Sequence, residues 1–252
     1  MRKRLPILCA FIAGGCVLFF ADAAAALPKI EFSIGDTDDP GQVVTGLKML
    51  GLLTVLAIAP AILVTMTCFT RIVIVLAFLR QAIGTQQVPP NQVMLGLSLF
   101  LTMFVMAPVG TKINENAIEP YQAGEISEDE AMENAKGPIR DFMLSHTREK
   151  DLMLFYDISK LPYPQTSEDV SLKALIPAFI ISELKTAFEM GFMLFIPFIV
   201  LDIAIASMLM SMGMIMLPPA LISLPLKLML FVIVDGWNLM ITSLVKSFLV
   251  AS

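Results

Sequence analysis

The apolar stretch Met190–Leu226 decides the fold: MGFMLFIPFIVLDIAIASMLMSMGMIMLPPALISLPL. Its only charged residue is Asp202. A helix needs roughly 20 apolar residues to cross a bilayer core, so the stretch is nearly long enough to cross twice. Pro218 and Pro219 interrupt it, because proline lacks the backbone N–H that a helix interior requires. The stretch therefore predicts two membrane spans joined by an irregular turn.

Two further runs, Met49–Thr70 and Gln81–Thr111, contain no charged residue. The whole chain is 57% hydrophobic and 15% charged, whereas a soluble domain carries about 25% charged residues. We expect an all-α membrane protein, built of helical hairpins with broken, proline-kinked helices. The expected spans are Leu47–Phe69, Val93–Val109, Leu184–Met208 and Ala220–Leu249, and the expected helix breaks are Pro60, Pro89, Pro90, Pro218 and Pro219.

The charged residues gather between the second and third spans. Lys112–Glu183 holds 14 acidic and 7 basic residues. Ser127 followed by Glu130 is a capping-box pattern, which predicts a helix from Glu128 that is interrupted at Gly137–Pro138. We expect a small helical subdomain here. The chain has no basic stripe to neutralise phosphates, which argues against a nucleic-acid partner.

The N-terminus has the pattern of a secretory signal peptide. Arg2–Arg4 is basic, Leu5–Phe20 is apolar, and Ala23–Ala26 offers a cleavage site after its last residue. A non-cleaved anchor helix is the alternative. The predicted division of the chain is a signal peptide (1–26), a periplasmic arm (27–45), a first membrane hairpin (46–110), an acidic segment (111–183) and a second membrane hairpin (184–252).

Membrane topology follows from the signal and from the basic residues. A cleaved signal leaves the new N-terminus outside, so the first span enters the cytoplasm. Arg71 and Arg80 then lie on the cytoplasmic side, as the positive-inside bias expects. The second span returns and places the acidic segment in the periplasm. The irregular turn of the second hairpin then faces the cytoplasmic side.

Motifs of hydrolases, metalloproteases and nucleotide-binding proteins are absent from the sequence. His146 is the single histidine, and Cys68 would be the single cysteine left after signal cleavage. These counts exclude a histidine-rich metal centre and an intramolecular disulfide in the mature chain. We therefore expect no enzyme activity, no cofactor and no metal.

Ionisable residues inside apolar runs are candidates for function, because charge at membrane depth is costly and faces protein or a water-filled cavity. Lys227 is the clearest case, with only apolar and uncharged neighbours on both sides. Asp202 is its candidate partner within the hairpin, and Glu183 or Glu189 is the candidate across a subunit contact. Snorkelling toward the headgroups is the alternative, which fits Glu183 and fits Lys227 poorly.

Five methionines alternate strictly in the turn of the second hairpin: Met208, Met210, Met212, Met214 and Met216. This spacing does not form one helical face, so a loop or broken helix is predicted. Methionine is flexible and packs against irregular surfaces. A ring of such loops would seal a pore yet deform around a passing chain. Ordinary core or lipid-facing methionines are the alternative.

Several long segments resemble the FliP family of flagellar biosynthesis proteins, which belongs to the type III secretion export gates. The hallmark is Phe69–Val93, FTRIVIVLAFLRQAIGTQQVPPNQV. Pro177–Phe192, Pro197–Asp202, Gly213–Pro219 and Leu224–Trp237 match the family as well. The injectisome paralogues, the SctR proteins, look similar in this core and usually lack a cleavable signal.

The resemblance implies a pore-forming subunit of the flagellar export gate in the bacterial inner membrane, within the basal body. It implies five copies assembled with FliQ and FliR, with FlhB and FlhA in the same apparatus and FliO assisting assembly. Unfolded flagellar subunits would pass through the pore. The family's gasket at the constriction corresponds to Met214 and Met216 first, then to Met210 and Met212.

Three other functions stay open. The family resemblance also allows the equivalent gate subunit of an injectisome, and the residues themselves allow two more. A secondary transporter would use the intramembrane Asp, Glu and Lys as an ion site. A membrane enzyme would use Asp202 and Asp235 as a carboxylate pair.

Overall fold

The computed structural model describes residues 40–85, 88–214 and 216–249. The predicted signal peptide and the predicted arm up to residue 39 lie outside the described residues. The chain divides between Leu52 and Leu53 into two units. Every contact discussed below lies within the second unit.

Every regular element among the described residues is helical, which confirms the predicted all-α class. The helices in chain order are α1 Pro40–Met66, α2 Phe69–Ile83, α3 Asn91–Ile113, α4 Glu119–Gln122, α5 Glu128–His146, α6 Glu149–Ser159, α7 Leu172–Ser211, α8 Pro219–Ile233 and α9 Gly236–Leu249. A π-helical segment, Asn114–Ile118, joins α3 to α4.

Three stretches of the described residues are long and apolar enough to cross a membrane: Met49–Met66, Asn91–Gln122 and Leu172–Ser211. Helices α8 and α9 meet the same test together, although they are bent by 66°. The described part of this membrane protein therefore holds three candidate spans, or four if the bent pair counts as one. This confirms the predicted class.

Helix α2 lies at the centre of the apolar core. Ile72, Val75, Leu76 and Leu79 recur at helical spacing and are all buried. They belong to a cluster with residues of α3, α7, α8 and α9. With 15 residues, α2 is shorter than a bilayer-crossing helix. It is a core helix that the predicted spans left out.

The acidic subdomain consists of α5 and α6 packed against the beginning of α7. Its buried residues include Met143, Tyr156 and Phe179. Helix α5 begins at Glu128 as predicted, and the Ser127 hydroxyl accepts a hydrogen bond of 3.3 Å from the N–H of Glu130. The predicted small helical subdomain is confirmed.

Two predicted proline interruptions are wrong. Helix α1 continues through Pro60 and helix α5 continues through Pro138. A proline removes one helical hydrogen bond, but its fixed φ is itself close to a helical value, so the flanking turns hold the helix. The other predicted breaks lie at helix boundaries: Pro89 and Pro90 precede α3, Pro218 precedes α8, and Pro219 begins it.

The predicted fourth span is divided at a place the sequence did not indicate. Helix α8 runs through Pro225, ends at Ile233, and is followed by α9 from Gly236. Between them, Asp235 has a left-handed φ of 51°. Asp visits this conformation more readily than most residues, and one such residue is enough to turn the chain into the 66° elbow.

Arg71 is one of the two basic residues that the charge pattern places on the cytoplasmic side. It lies in α2 and is buried. A buried, paired arginine says nothing about the positive-inside bias of a loop. The topology argument from basic residues therefore rests on Arg80 alone.

Helix α7 connects the acidic subdomain to the turn of the second hairpin. It has 40 residues, which gives a length of about 60 Å at 1.5 Å per residue. The predicted boundary between residues 183 and 184 falls inside this helix. The subdomain and the methionine-rich turn therefore lie at opposite ends of one element.

Candidate functional site: a methionine turn and buried ion pairs

The methionine turn, defined as the five residues Met208, Met210, Met212, Met214 and Met216, lies at the break between α7 and α8. All five side chains are exposed, and Met216 is 97% exposed. Apolar side chains that gather on a surface mark a site of interaction with protein, ligand or membrane. The turn is therefore the first candidate for a functional site.

The backbone of the turn explains its shape. The N–H of Gly213 donates to the carbonyl of Met210, and the N–H of Met214 donates to the carbonyl of Leu209, both at 3.0 Å. This pair of bonds is a Schellman motif, which requires a left-handed residue after the helix. Gly213 supplies it with a φ of 78°. The backbone that carries the methionines therefore changes from helical to irregular at the end of α7, next to this glycine.

Pro218 directly precedes α8, the helix that leaves the turn, and Pro219 is its first residue. The carbonyl of Pro218 accepts a hydrogen bond of 3.1 Å from the N–H of Leu221. Proline suits the first helical turn, because the N–H that it lacks would have no helical partner there. The two prolines thus fix where α8 starts.

Lys227 of α8 and Asp202 of α7 form an ion pair behind the turn. Nζ of Lys227 lies 2.6 Å from Oδ2 of Asp202. Lys227 is buried, whereas 42% of the Asp202 side chain is exposed. Of the carboxylates that the sequence offered to Lys227, the structure of the single chain brings Asp202 to it. The pair links α7, which leads into the turn, to α8, which leads out of it.

A second ion pair, Arg71 with Glu183, is completely buried. Nε of Arg71 donates to Oε2 of Glu183 at 2.9 Å, and Nη2 donates to Oε1. Nη1 donates to the Ser247 hydroxyl at 3.1 Å, and the guanidinium lies 4.0 Å from the ring centre of Phe248. We call Arg71, Glu183, Ser247 and Phe248 the Arg71 node. It joins α2, α7 and the end of α9.

Asp151 fixes the acidic subdomain to α7. The Ser182 hydroxyl donates to Oδ2 of Asp151, and Nη2 of Arg148 approaches the same oxygen, both at 2.7 Å. Burial works to raise the pKa of the Asp151 carboxyl, but the bonds from Ser182 and Arg148 hold it below its ordinary value. The carboxylate form is therefore favoured in the fold.

His146 ends α5 and packs against α9. Nδ1 lies 2.8 Å from the carbonyl oxygen of Phe142, and Nε2 lies 3.3 Å from that of Phe248. Burial lowers the pKa of His146 below its ordinary value, and the charge of Arg71 acts in the same direction. The neutral imidazole is therefore favoured.

The remaining predicted residues lie apart from these groups. Glu189 approaches Lys185 at 3.4 Å on the exposed face of α7. Asp235 is exposed at the elbow between α8 and α9. Within the described ranges, His, Cys, Asp and Glu form no group of three that could hold a metal ion.

The snorkelling interpretation of Glu183 is wrong, because the residue is fully buried and paired with Arg71. The two residues are 112 positions apart in the chain, so no local pattern joins them. One signal was available in the sequence. Each is a charged residue beside an apolar run, and opposite charges in such settings pair because an unpaired buried charge is costly.

Comparison with known proteins finds one family and many relatives. A family model described as the FliP family matches residues 52–244. The flagellar biosynthetic protein FliP of Bacillus subtilis (strain 168) is 55% identical over 216 residues, which cover 86% of this chain and 98% of the relative. The protein of the same name from Aquifex aeolicus (strain VF5) is 48% identical over 250 residues, covering 98% and 100%. That of Caulobacter vibrioides is also 48% identical, covering 98% and 91%.

Proposed function

We propose that this chain, which belongs to the FliP family of flagellar biosynthetic proteins, is a pore-forming core subunit of the flagellar type III export gate. It is a membrane-embedded component of flagellar biosynthesis. The pore would conduct unfolded flagellar subunits across the bacterial inner membrane, within the basal body. The three relatives are flagellar biosynthetic proteins, which favours the flagellar gate over an injectisome gate.

The observation that carries the proposal is the exposed methionine turn at the break between α7 and α8. The five exposed thioether side chains form an apolar cluster of the kind that marks an interaction site, here at a break between helices. Copies of this chain, five in our proposal, would bring their turns together around one opening. Met210, Met212, Met214 and Met216 would form the seal.

Methionine suits a seal that must also open. Its unbranched side chain has three rotatable bonds and a polarizable sulfur, so it fills irregular gaps and repacks at low cost. Such a ring would hold back water and ions when closed, and would adapt to different side chains of a passing polypeptide. A ring of β-branched residues would be stiffer at χ1.

The two ion pairs stabilise the helices that carry the turn. The bond between Lys227 and Asp202 joins the two helices that flank the turn. Because Glu183 and Asp202 both lie on α7, the two ion pairs fix this helix to its neighbours, and the turn projects from a fixed helix rather than from a loose loop. We propose that this rigidity positions the seal and leaves flexibility to the methionine side chains.

We further propose the surroundings of the chain. FliQ and FliR would complete the pore, FlhB and FlhA would act in the same apparatus, and FliO would assist assembly. The acidic segment would form a periplasmic collar, consistent with the predicted signal peptide. Energy would come from these partners, because we propose no catalytic step for this chain.

The test is an ion-leak measurement on cells that carry the gate with Met210, Met212, Met214 and Met216 all replaced by Ala. We expect a gate that assembles and leaks small ions. The matched control replaces four other exposed methionines by Ala: Met103, Met132, Met193 and Met229. A membrane that stays tight in the first variant, with assembly intact, would refute the seal.

A further inference from the structure

An apolar cavity of about 380 Å³ opens beside the elbow between α8 and α9. Its lining includes Met193 and Pro197 of α7, Leu239 and Ser243 of α9, and Phe231 of α8. It lies away from the methionine turn. Nothing in the proposed pore function uses it.

The elbow is built around this space. A Cβ on Gly236 would lie 2.2 Å from ring atoms of Phe231, so only glycine allows the ring to lie against the backbone there. The Phe231 ring then meets the ring of Trp237 edge-on, with 5.5 Å between their centres. Trp237 is the single tryptophan of the chain. The cavity therefore has a natural fluorescent reporter beside it.

The lining determines what can enter. It is apolar apart from the Ser243 hydroxyl and the backbone. Pro197 has no N–H, so the carbonyl of Met193, four residues earlier, lacks its helical donor. The lining therefore offers water few polar partners. An apolar occupant fits it better than a polar one, and the size falls within the range of about 300–1,000 Å³ for sites that bind small molecules.

We propose that the cavity binds the acyl chain of a membrane phospholipid. Its walls belong to the candidate span α7 and to the bent pair of α8 and α9, so the surrounding phase is the bilayer. Met193 and Leu239 at its mouth are largely exposed, which makes the cavity continuous with the outer apolar face. In the unassembled chain, acyl chains of the bilayer surround this face. The proposal holds independently of the pore.

A side chain from a second copy of this protein is the competing occupant. It would enter only in an assembly, whereas an acyl chain enters the isolated chain in any bilayer. The occupancy of the cavity should therefore not depend on protein density in the membrane. This difference separates the two occupants by experiment.

The experiment measures quenching of Trp237 fluorescence by phosphatidylcholine brominated in its acyl chains. The full-length protein is reconstituted into vesicles of brominated or unbrominated lipid at several protein densities. The variant Ser243→Phe fills the cavity. The matched control is Thr242→Phe, at the preceding position of α9, which is outside the lining. We expect the wild type and Thr242→Phe to be strongly quenched, and Ser243→Phe to lose the larger part of this quenching.

Equal quenching of all three proteins would overturn the proposal, because Trp237 would then report only the bulk bilayer. Weak quenching of the wild type that changes with protein density would also overturn it, in favour of a second copy. Native mass spectrometry in mild detergent gives a second readout. The wild type should retain a phospholipid that Ser243→Phe loses, and retention by both would contradict the assignment to this cavity.

Discussion

The methionine turn follows α7, the Arg71 node includes Glu183 of the same helix, and the two are built in opposite ways. In the node, a charged pair is buried. Nη1 of Arg71 donates to the Ser247 hydroxyl, and the guanidinium packs on the face of Phe248. In the turn, apolar side chains are exposed and only the backbone is tied, through Gly213. The node is complete within one chain, whereas the proposed function has the turn covered by other copies. In that proposal, scaffold and function are separated along α7.

The largest expected effect comes from breaking the node. Glu183→Ala leaves the Arg71 guanidinium buried without its carboxylate, and such a loss costs about 3–5 kcal/mol of stability. Denaturation of the purified protein in detergent, followed by circular dichroism, measures the free energy of unfolding. Glu189→Ala is the matched control on the same helix, since its exposed pair with Lys185 contributes about 0–1 kcal/mol.

The node can also be replaced rather than broken. Arg71→Met together with Glu183→Leu removes both charges and keeps apolar volume, and we expect it to recover most of the stability that Glu183→Ala loses. If Glu183→Ala unfolds no more easily than Glu189→Ala, the node does not hold the scaffold.

A smaller effect is expected at the ion pair behind the turn, and it should be asymmetric. Asp202→Ala leaves the buried ammonium of Lys227 without its carboxylate, at a cost of about 1–3 kcal/mol. Lys227→Met keeps the apolar stem and leaves Asp202, which is partly exposed and can be hydrated. We expect it to cost less. Denaturation followed by Trp237 emission measures both, with the exposed Lys246→Met as control, and the reverse order would contradict the assigned burial.

The sequence anticipated most of the architecture and the place of the turn. Uncharged runs predicted the spans, Ser127 and Glu130 predicted the start of α5, and the prolines after residue 217 predicted the start of α8. These features depend on neighbouring residues, so a local pattern can predict them. Asp202 was one of the carboxylates predicted as partners of Lys227, because a buried charge needs an opposite charge beside it.

The rest depends on contacts between distant parts of the chain. The partner of Glu183 is 112 residues away, and α2 is a core helix only because α3 and α7 surround it. Pro60 and Pro138 were predicted to interrupt helices, yet flanking turns keep them helical. The elbow follows from a single left-handed residue, Asp235, which composition does not reveal.

Acid should loosen the subdomain from α7 and α9. The fold favours neutral His146, whose pKa is lowered from an ordinary value of 6.5, so its contribution is present above that value and is lost as the pH falls below it. Asp151, whose pKa is also lowered, loses its contribution only as the pH falls below its ordinary 3.8.

Hydrogen exchange of α5 and α6, corrected for intrinsic rates, measures this between pH 7.5 and 5 in detergent. We expect faster exchange toward the acid end. His146→Gln, which cannot be protonated, should remove the change over this interval. An unchanged pH dependence in the variant would assign the effect to another group.

The smallest effect on stability is expected at the turn itself. Single changes of Met210, Met212, Met214 or Met216 to Ala should each alter the free energy of unfolding by less than about 0.5 kcal/mol, because the side chains are exposed. Thermal unfolding in detergent measures it. A large loss of stability would mean that these methionines pack within the single chain, which would remove the contrast with the node.

The central claim is that methionine turns of different copies meet around one opening, and intermolecular cross-linking tests it most directly. Met216→Cys places a thiol at the most exposed position of the turn, and Met229→Cys on α8 is the control, while native Cys68 is fully buried. Disulfides form only when the two Cα atoms come within about 7 Å. On oxidation of the assembled gate in membranes, the account predicts cross-linked dimers for Met216→Cys and none for Met229→Cys. Monomers alone for Met216→Cys, with the assembly intact, would contradict it.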